Sequence, residues 1–216
     1  MRKNIKICGV TNCKTIKQLI SLNVHYAGLV FHKTSPRNIT KNKAKELVNL
    51  YARKINFVVV TQDMQLSDLI DLATDLNVRH LQLHGHESIN YIKSLRRETT
   101  ASIIKAIHVN DKNTSQAQQD IDKYKEFADY LLLDAKCDEK NFGGKGKVFD
   151  WSIINKLQLP AKWILSGGLN YDNISHAIKL TNADFLDVSS GVEITIGQKD
   201  NKKIIKFVNK INAQNS

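Results

Sequence analysis

Along the 216 residues, short apolar runs alternate with longer stretches in which apolar positions return every three or four residues. Eight runs have the length and composition of buried strands: NIKIC (4–8), YAGLVF (26–31), FVVV (57–60), HLQL (80–83), SIIKAI (102–107), YLLL (130–133), WIL (163–165) and FLDV (185–188). Between them the period lengthens. Ala44, Leu47, Val48 and Tyr51 fall at i, i+3, i+4 and i+7, as do Ile204, Phe207, Val208 and Ile211, and that spacing forms one stripe of a helix. Thr40 and Asn170 stand where helix N-caps are wanted. Strands that alternate with amphipathic helices predict parallel pairing through crossover helices. Eight such units, with no linker rich in Pro, Gly or Ser, close most naturally as one (β/α)8 TIM barrel over 1–216, near the lower size limit of that fold. An open doubly wound sheet is the alternative, but the first turn, CGVTN, lacks the GxGxxG fingerprint.

Composition narrows the setting. With 42% apolar and 25% charged residues the chain reads as an ordinary soluble globular protein, long enough to bury a core without staples. No basic head precedes an apolar segment at the N-terminus, and no apolar run approaches the roughly 20 residues that span a bilayer, so a cytoplasmic protein with no membrane partner is expected. Cys8, Cys13 and Cys137 are odd in number and lack CxxC spacing, which argues against a disulfide framework or a structural metal. The net charge of +11 is spread along helical stretches such as TKNKAKELVNL and DNKKIIKFVNK. It does not form one basic block with interleaved aromatics, so no nucleic-acid partner is expected, and steering of an anionic small molecule is the use that fits. GGKGK (143–147) lacks the spacer and the Ser/Thr of a nucleotide P-loop.

A barrel of this kind performs its chemistry at the C-terminal ends of its strands. Reactive residue types fall there repeatedly: Cys8 ends the first run, Arg37 lies in the loop after the second, His84 ends the fourth and Asp134 ends the sixth. The loops after runs seven and eight read SGGLN (166–170) and SSGVE (189–193), small and flexible, where such barrels hold a phosphate on backbone N–H groups. Each feature has a plainer reading taken singly. A strand cysteine is usually packing, an aspartate after a strand is usually a turn residue, and a glycine pair is usually turn chemistry. Convergence on one face is what weakens those readings.

The segments KICGVTN, GLVF followed by SPRNI, LQLHG, IKAI, LLLDAK, GGKGKVFDW, LSGGLN and DVSSGVE, in this order, resemble the phosphoribosylanthranilate isomerase family of tryptophan biosynthesis over nearly the whole chain. The resemblance implies an Amadori rearrangement of an N-linked phosphoribosyl aminoaldose to an aminoketose. Cys8 would be the general base, Asp134 the general acid, and Arg37 the partner of the anthranilate carboxylate. The backbone around Gly167, Gly168, Ser190 and Gly191 would take the phosphate. After the third run the chain reads VVVTQD where the family has an aromatic in a VFVN-like run, which draws attention to Thr61 as a pocket-wall position.

The chemistry is consistent with these residue types. Protonating the furanose oxygen leaves an iminium at C1′, which acidifies the C2′ hydrogen, so an acid acts first and a base second. The iminium is the electron sink, and neither a metal nor an organic cofactor is expected. A thiol of ordinary pKa near 8.5 is partly ionised at neutral pH, and a cationic site is expected to favour the thiolate further. An aspartate of ordinary pKa near 3.9 has to be raised to carry a proton at pH 7, by burial or a nearby thiolate. Cys137 is expected to be a loop thiol with no catalytic role, and the oligomer a monomer or homodimer. The alternatives are another phosphate-binding barrel enzyme of histidine or tryptophan biosynthesis, or a non-catalytic basic barrel that binds RNA or a protein.

Overall fold

The computed structural model describes residues 3–109, 114–135 and 151–214. Eight parallel strands close into a barrel in chain order, β1 beside β2 and so on to β8, which returns to β1. They are β1 (Asn4–Cys8), β2 (Tyr26–Phe31), β3 (Asn56–Thr61), β4 (His80–Leu83), β5 (Ser102–Val109), β6 (Tyr130–Ala135), β7 (Trp163–Ser166) and β8 (Phe185–Val188). Closure is explicit in the register, where Asn4, Ile5, Lys6 and Ile7 pair with Phe185, Leu186, Asp187 and Val188. Every predicted strand is present within two residues at either end.

Helices fill the crossovers: α1 (Cys13–Ser21), α2 (Lys41–Tyr51), α3 (Leu66–Leu76), α4 (Ile89–Glu98), α5 (Thr114–Tyr124), α6 (Ile174–Thr181) and α7 (Asn201–Asn212). After β6 the described crossover element is a 3-10 helix over Trp151–Lys156. The predicted stripes are the buried ones: Ala44, Leu47 and Val48 in α2, and Ile204, Phe207, Val208 and Ile211 in α7. Thr40 caps α2 by accepting from the Lys43 amide. Asn170 does not cap α6. Its side chain accepts from the amides of Asp172 and Asn173, which makes an Asx turn one step earlier and leaves the cap position to Asn173.

The pleat sorts the core into two compartments. Cys8, Val30, Val58, Val60, Ile104, Ala106, Leu132, Ile164 and Phe185 form a cluster with no helix residue, which is the inside of the barrel. The larger cluster joins the alternate strand positions to the buried helix faces. The N-terminal end is floored by rings from the first residues of β2, β4, β6 and β8. Tyr26 stacks on Phe185 at 4.9 Å and meets His80 edge-on at 5.3 Å, and Tyr130 meets Phe185 edge-on at 5.8 Å. Four side chains from alternate strands make one layer, as barrel closure requires. The floor closes the N-terminal end, opposite the strand ends where such barrels carry their chemistry. A short hairpin, β9 (Glu193–Thr195) with β10 (Gln198–Lys199), follows β8 at the C-terminal end.

Candidate active site

Cys8 and Asp134 both sit at strand ends on the inner face and are both buried. Around the closed sheet β1 and β6 are separated by β8 and β7, so the two groups look into one mouth from different sides. Gly28, paired with Cys8 across β1 and β2, makes room for the thiol, since a Cβ there would lie 2.9 Å from Sγ. Ser189 donates its hydroxyl to the Cys8 carbonyl at 3.0 Å and so ties the end of β1 to the loop after β8.

Below the thiol lies a pair that the sequence reading passed over. Lys6, two residues before Cys8 and therefore on the same inner face, is fully buried and donates to Asp187 Oδ2 at 2.9 Å. The two are register partners on β1 and β8. The signal was present in the sequence, as one basic and one acidic residue in otherwise apolar strand runs, on strands that closure makes neighbours. Burial acts to discharge the Lys6 ammonium, but Asp187 and then Cys8 outweigh it and hold it charged.

The expectation for Cys8 needs correcting. Burial pushes its thiol above the ordinary range, and although Lys6 and Lys199 pull the other way, they do not reverse the shift. The reason is that neither lysine is an uncompensated charge: Lys6 is matched by Asp187, and Lys199 by Glu193.

Arg37 lies at the rim, 22% exposed in its side chain, and is held along one edge: Nε donates to Glu193 Oε1 at 2.7 Å and a terminal nitrogen to Oε2 at 2.8 Å. Glu193 also accepts from Lys199 Nζ at 2.6 Å and from the Gly197 amide at 3.1 Å. Burial would raise the Glu193 carboxyl, but the Arg37, Lys199 and Gly197 bonds outweigh it and bring it down to about 2. Lys199 continues the chain, donating to the Ser189 carbonyl and hydroxyl at 3.0 and 3.1 Å. A bonded path therefore runs from Arg37 through Glu193, Lys199 and Ser189 to the backbone of Cys8. Glu193 and Lys199 were not foreseen, because only the β9–β10 hairpin brings them together.

The two glycine loops meet as expected. Asn170 and Gly191 form an isolated parallel bridge, and a Cβ on Gly191 would overlap the Leu169 carbonyl oxygen. Gly167 has φ +89° and lies against the Ala135 backbone, which only glycine allows. Asn170 and Asn173 amides donate to the Gly168 carbonyl at 3.3 and 2.9 Å, tying that acceptor back towards α6. Ser190 is exposed on the turn between β8 and β9.

His84 directly follows β4, with Nε2 3.3 Å from Asp134 Oδ2, and Gln82 contacts its other nitrogen at 2.9 Å. His108, which continues the inner positions Ile104 and Ala106, brings Nδ1 to 3.6 Å from the same oxygen. Thr61 does not line the pocket. It shares its side of β3 with Val59, facing the helices, and Val60 is the inner residue beside it. Its buried hydroxyl oxygen has no hydrogen-bond partner among the described residues. Cys8 and Cys13 are free thiols, while Cys137 and GGKGK lie outside the described residues. Among the described residues no helix is long and apolar enough to cross a membrane.

A closed parallel barrel that alternates strands with helices and gathers its reactive side chains at the C-terminal ends of its strands belongs to the class of (β/α)8-barrel enzymes. The profile of N-(5'phosphoribosyl)anthranilate (PRA) isomerase matches residues 5–210. An N-(5'-phosphoribosyl)anthranilate isomerase of Zymomonas mobilis subsp. mobilis is 35% identical over 210 residues, covering 96% of this chain and 97% of the relative. The crystal structure of phosphoribosyl anthranilate isomerase from Thermotoga maritima superimposes with a TM-score of 0.83 at 31% identity, over 99% of this chain and 100% of that one. A phosphoribosyl anthranilate isomerase in complex with reduced 1-(o-carboxyphenylamino)-1-deoxyribulose 5-phosphate superimposes with 0.80 at 28% identity, over 99% of this chain and 100% of that one. The chain belongs to the phosphoribosylanthranilate isomerase family.

Proposed function

We propose that this chain converts N-(5-phosphoribosyl)anthranilate to 1-(2-carboxyphenylamino)-1-deoxyribulose 5-phosphate, the third step of tryptophan synthesis from chorismate, with Asp134 as general acid and Cys8 as general base. The observation that carries the reading is that these two groups stand on different walls of one mouth, at the ends of β6 and β1. Asp134 gives its proton to the furanose oxygen, the C1′–O bond breaks, and the anthranilate nitrogen supplies the electron pair that forms the C1′ iminium. Cys8, as thiolate, takes the C2′ proton. The electrons of that bond neutralise the iminium, giving an enol amine that tautomerises to the ketose.

The iminium is a cation formed next to Cys8. A thiol held up by burial is thus brought towards ionisation at the moment its base form is needed, since a nearby positive charge favours the thiolate. Arg37 keeps one edge on Glu193 and offers the remaining N–H groups to the anthranilate carboxylate. Gly167, Gly168, Ser190 and Gly191 present backbone donors to the phosphate at the far end. No step calls for a metal or an organic cofactor. The same reading makes the chain a cytoplasmic enzyme, monomeric or homodimeric, whose partner is a phosphorylated small molecule and not nucleic acid.

Turnover of phosphoribosylanthranilate by the purified protein, followed as loss of substrate fluorescence, tests the reading. Catalysis that falls by about 10²–10⁴ in Cys8→Ser is expected. Salt-dependent RNA binding without turnover would overturn it in favour of a binding protein.

A further inference from the structure

At the C-terminal ends of three consecutive strands, His84 directly follows β4, and His108 and Asp134 are the last inner-face positions of β5 and β6. Among the described residues these form a cluster whose ligand atoms all lie within 4.8 Å of one another. His84 Nε2 and His108 Nδ1 stand 3.3 and 3.6 Å from the same Asp134 oxygen. The imidazoles face each other edge-on, with centroids 5.6 Å apart, so neither blocks the other's nitrogen.

We propose that His84, His108 and Asp134 form a site for a divalent transition-metal ion of the zinc or cobalt class, and that its occupation inhibits the enzyme by taking the Asp134 carboxylate. The binding stands on the geometry alone, whereas the inhibition rests on the reading of Asp134 as the acid. Metal bonds to imidazole nitrogen and carboxylate oxygen are about 2.0–2.2 Å, which places neighbouring ligands of a tetrahedral ion roughly 3.3–3.6 Å apart. Both histidine-to-carboxylate separations already match that edge, and the third, between the two imidazole nitrogens, is within 4.8 Å. Two imidazoles and one carboxylate select zinc, cobalt or nickel over magnesium or calcium, which prefer oxygen alone. His108 is 48% exposed in its side chain and His84 26%, so the ion has an approach and water can complete its coordination.

A second observation comes from behind His84. Gln82 is 1% exposed, its amide lies 2.9 Å from His84 Nδ1, and its Oε1 has no hydrogen-bond partner among the described residues. With the carboxamide turned over, that oxygen accepts Nδ1–H and fixes the tautomer whose Nε2 lone pair faces the ion. This is the outer-shell partner that metal-binding histidines regularly have. The proton in the proposed reaction comes from Asp134 and not from His108, so the His108 ligand can be removed while the Asp134 carboxyl is kept.

Untagged protein is titrated with cobalt(II) while the visible d–d band is followed, and turnover is measured in parallel in zinc(II) buffered by a chelator. The expected result is a single cobalt site without a sulfur-to-cobalt charge-transfer band, and zinc inhibition competitive with substrate. His108→Ala and His108→Gln should each weaken cobalt binding by at least about tenfold and, measured against each variant's own metal-free turnover, resist zinc. Cobalt binding unchanged in both variants, a charge-transfer band placing the ion on Cys8, or no binding at millimolar metal would overturn the site. Binding that is lost in the variants yet never inhibits the wild type upholds the site and removes Asp134 as the acid.

Discussion

At Cys8 the balance between burial and neighbouring charge decides how the thiol behaves. Burial leads and the lysines oppose it incompletely, so the thiol titrates above its ordinary range. Alkylation of Cys8 should therefore still be rising with pH past the usual thiol value of about 8.5. Product analogue should protect it, and Cys13→Ser should not change the profile. Lys6→Met removes a cation and strands the Asp187 carboxylate, and both changes move the profile further alkaline. Breaking one side of a buried pair should also cost about 3–5 kcal/mol of stability, measurable by denaturant unfolding. A profile shifted to acid in Lys6→Met would contradict the assignment of Lys6 as the ion beneath the thiol. Arg37→Ala should weaken kcat/KM by about 1.5–3 kcal/mol, the worth of a charged hydrogen bond, and Arg37→Lys should recover only part, because an ammonium cannot bridge two carboxylates edge to edge. Unchanged KM and kcat/KM in Arg37→Ala would remove it from the anthranilate end.

Among the elements, the β9–β10 hairpin does more than link β8 to α7. Its Glu193 holds Arg37, and its Gly197 packs against the Pro36 carbonyl, so the loop after β2 and the segment after β8 form one rim. The Glu193 carboxyl is depressed to about 2, hence its contribution is fully present above the ordinary carboxylate value near 4.3 and is lost as pH falls towards 2. Amide protection of the hairpin, corrected for the intrinsic exchange rate at each pH, should fall over that window, and Glu193→Gln should flatten the dependence while raising KM through a loosened Arg37. Between the glycine loops, Gly191→Ala forces apart backbones that now touch. A displacement approaching 1 Å can cost on the order of 10²-fold in rate, here expected mainly as a higher KM for the phosphorylated substrate. A wild-type KM in that variant would take the phosphate away from these loops.

For the whole molecule, the barrel was legible because its strands are short apolar runs and its helices carry single buried stripes, both local patterns. The positions of Cys8 and Asp134 at strand ends, and of Arg37 in the loop after β2, were legible for the same reason, and the catalytic roles proposed for them rest on that placement. Glu193, Lys199 and the Lys6–Asp187 pair were not, since their meaning lies in contacts between the two ends of the chain that only barrel closure creates. What Thr61 does was not legible, because strand parity, not proximity to the strand end, decides which side of β3 faces the barrel interior. The wider account stands on a division of labour across the mouth, with the acid on β6 and the base on β1. Turnover of substrate deuterated at C2′ by wild type, Cys8→Ser and Asp134→Asn tests it most directly. The account predicts a primary isotope effect where proton abstraction limits turnover. It further predicts a loss of about 10²–10⁴ in Cys8→Ser, and an Asp134→Asn protein that still binds the reduced open-chain product analogue but does not open the ring. Near wild-type turnover in Cys8→Ser would contradict it.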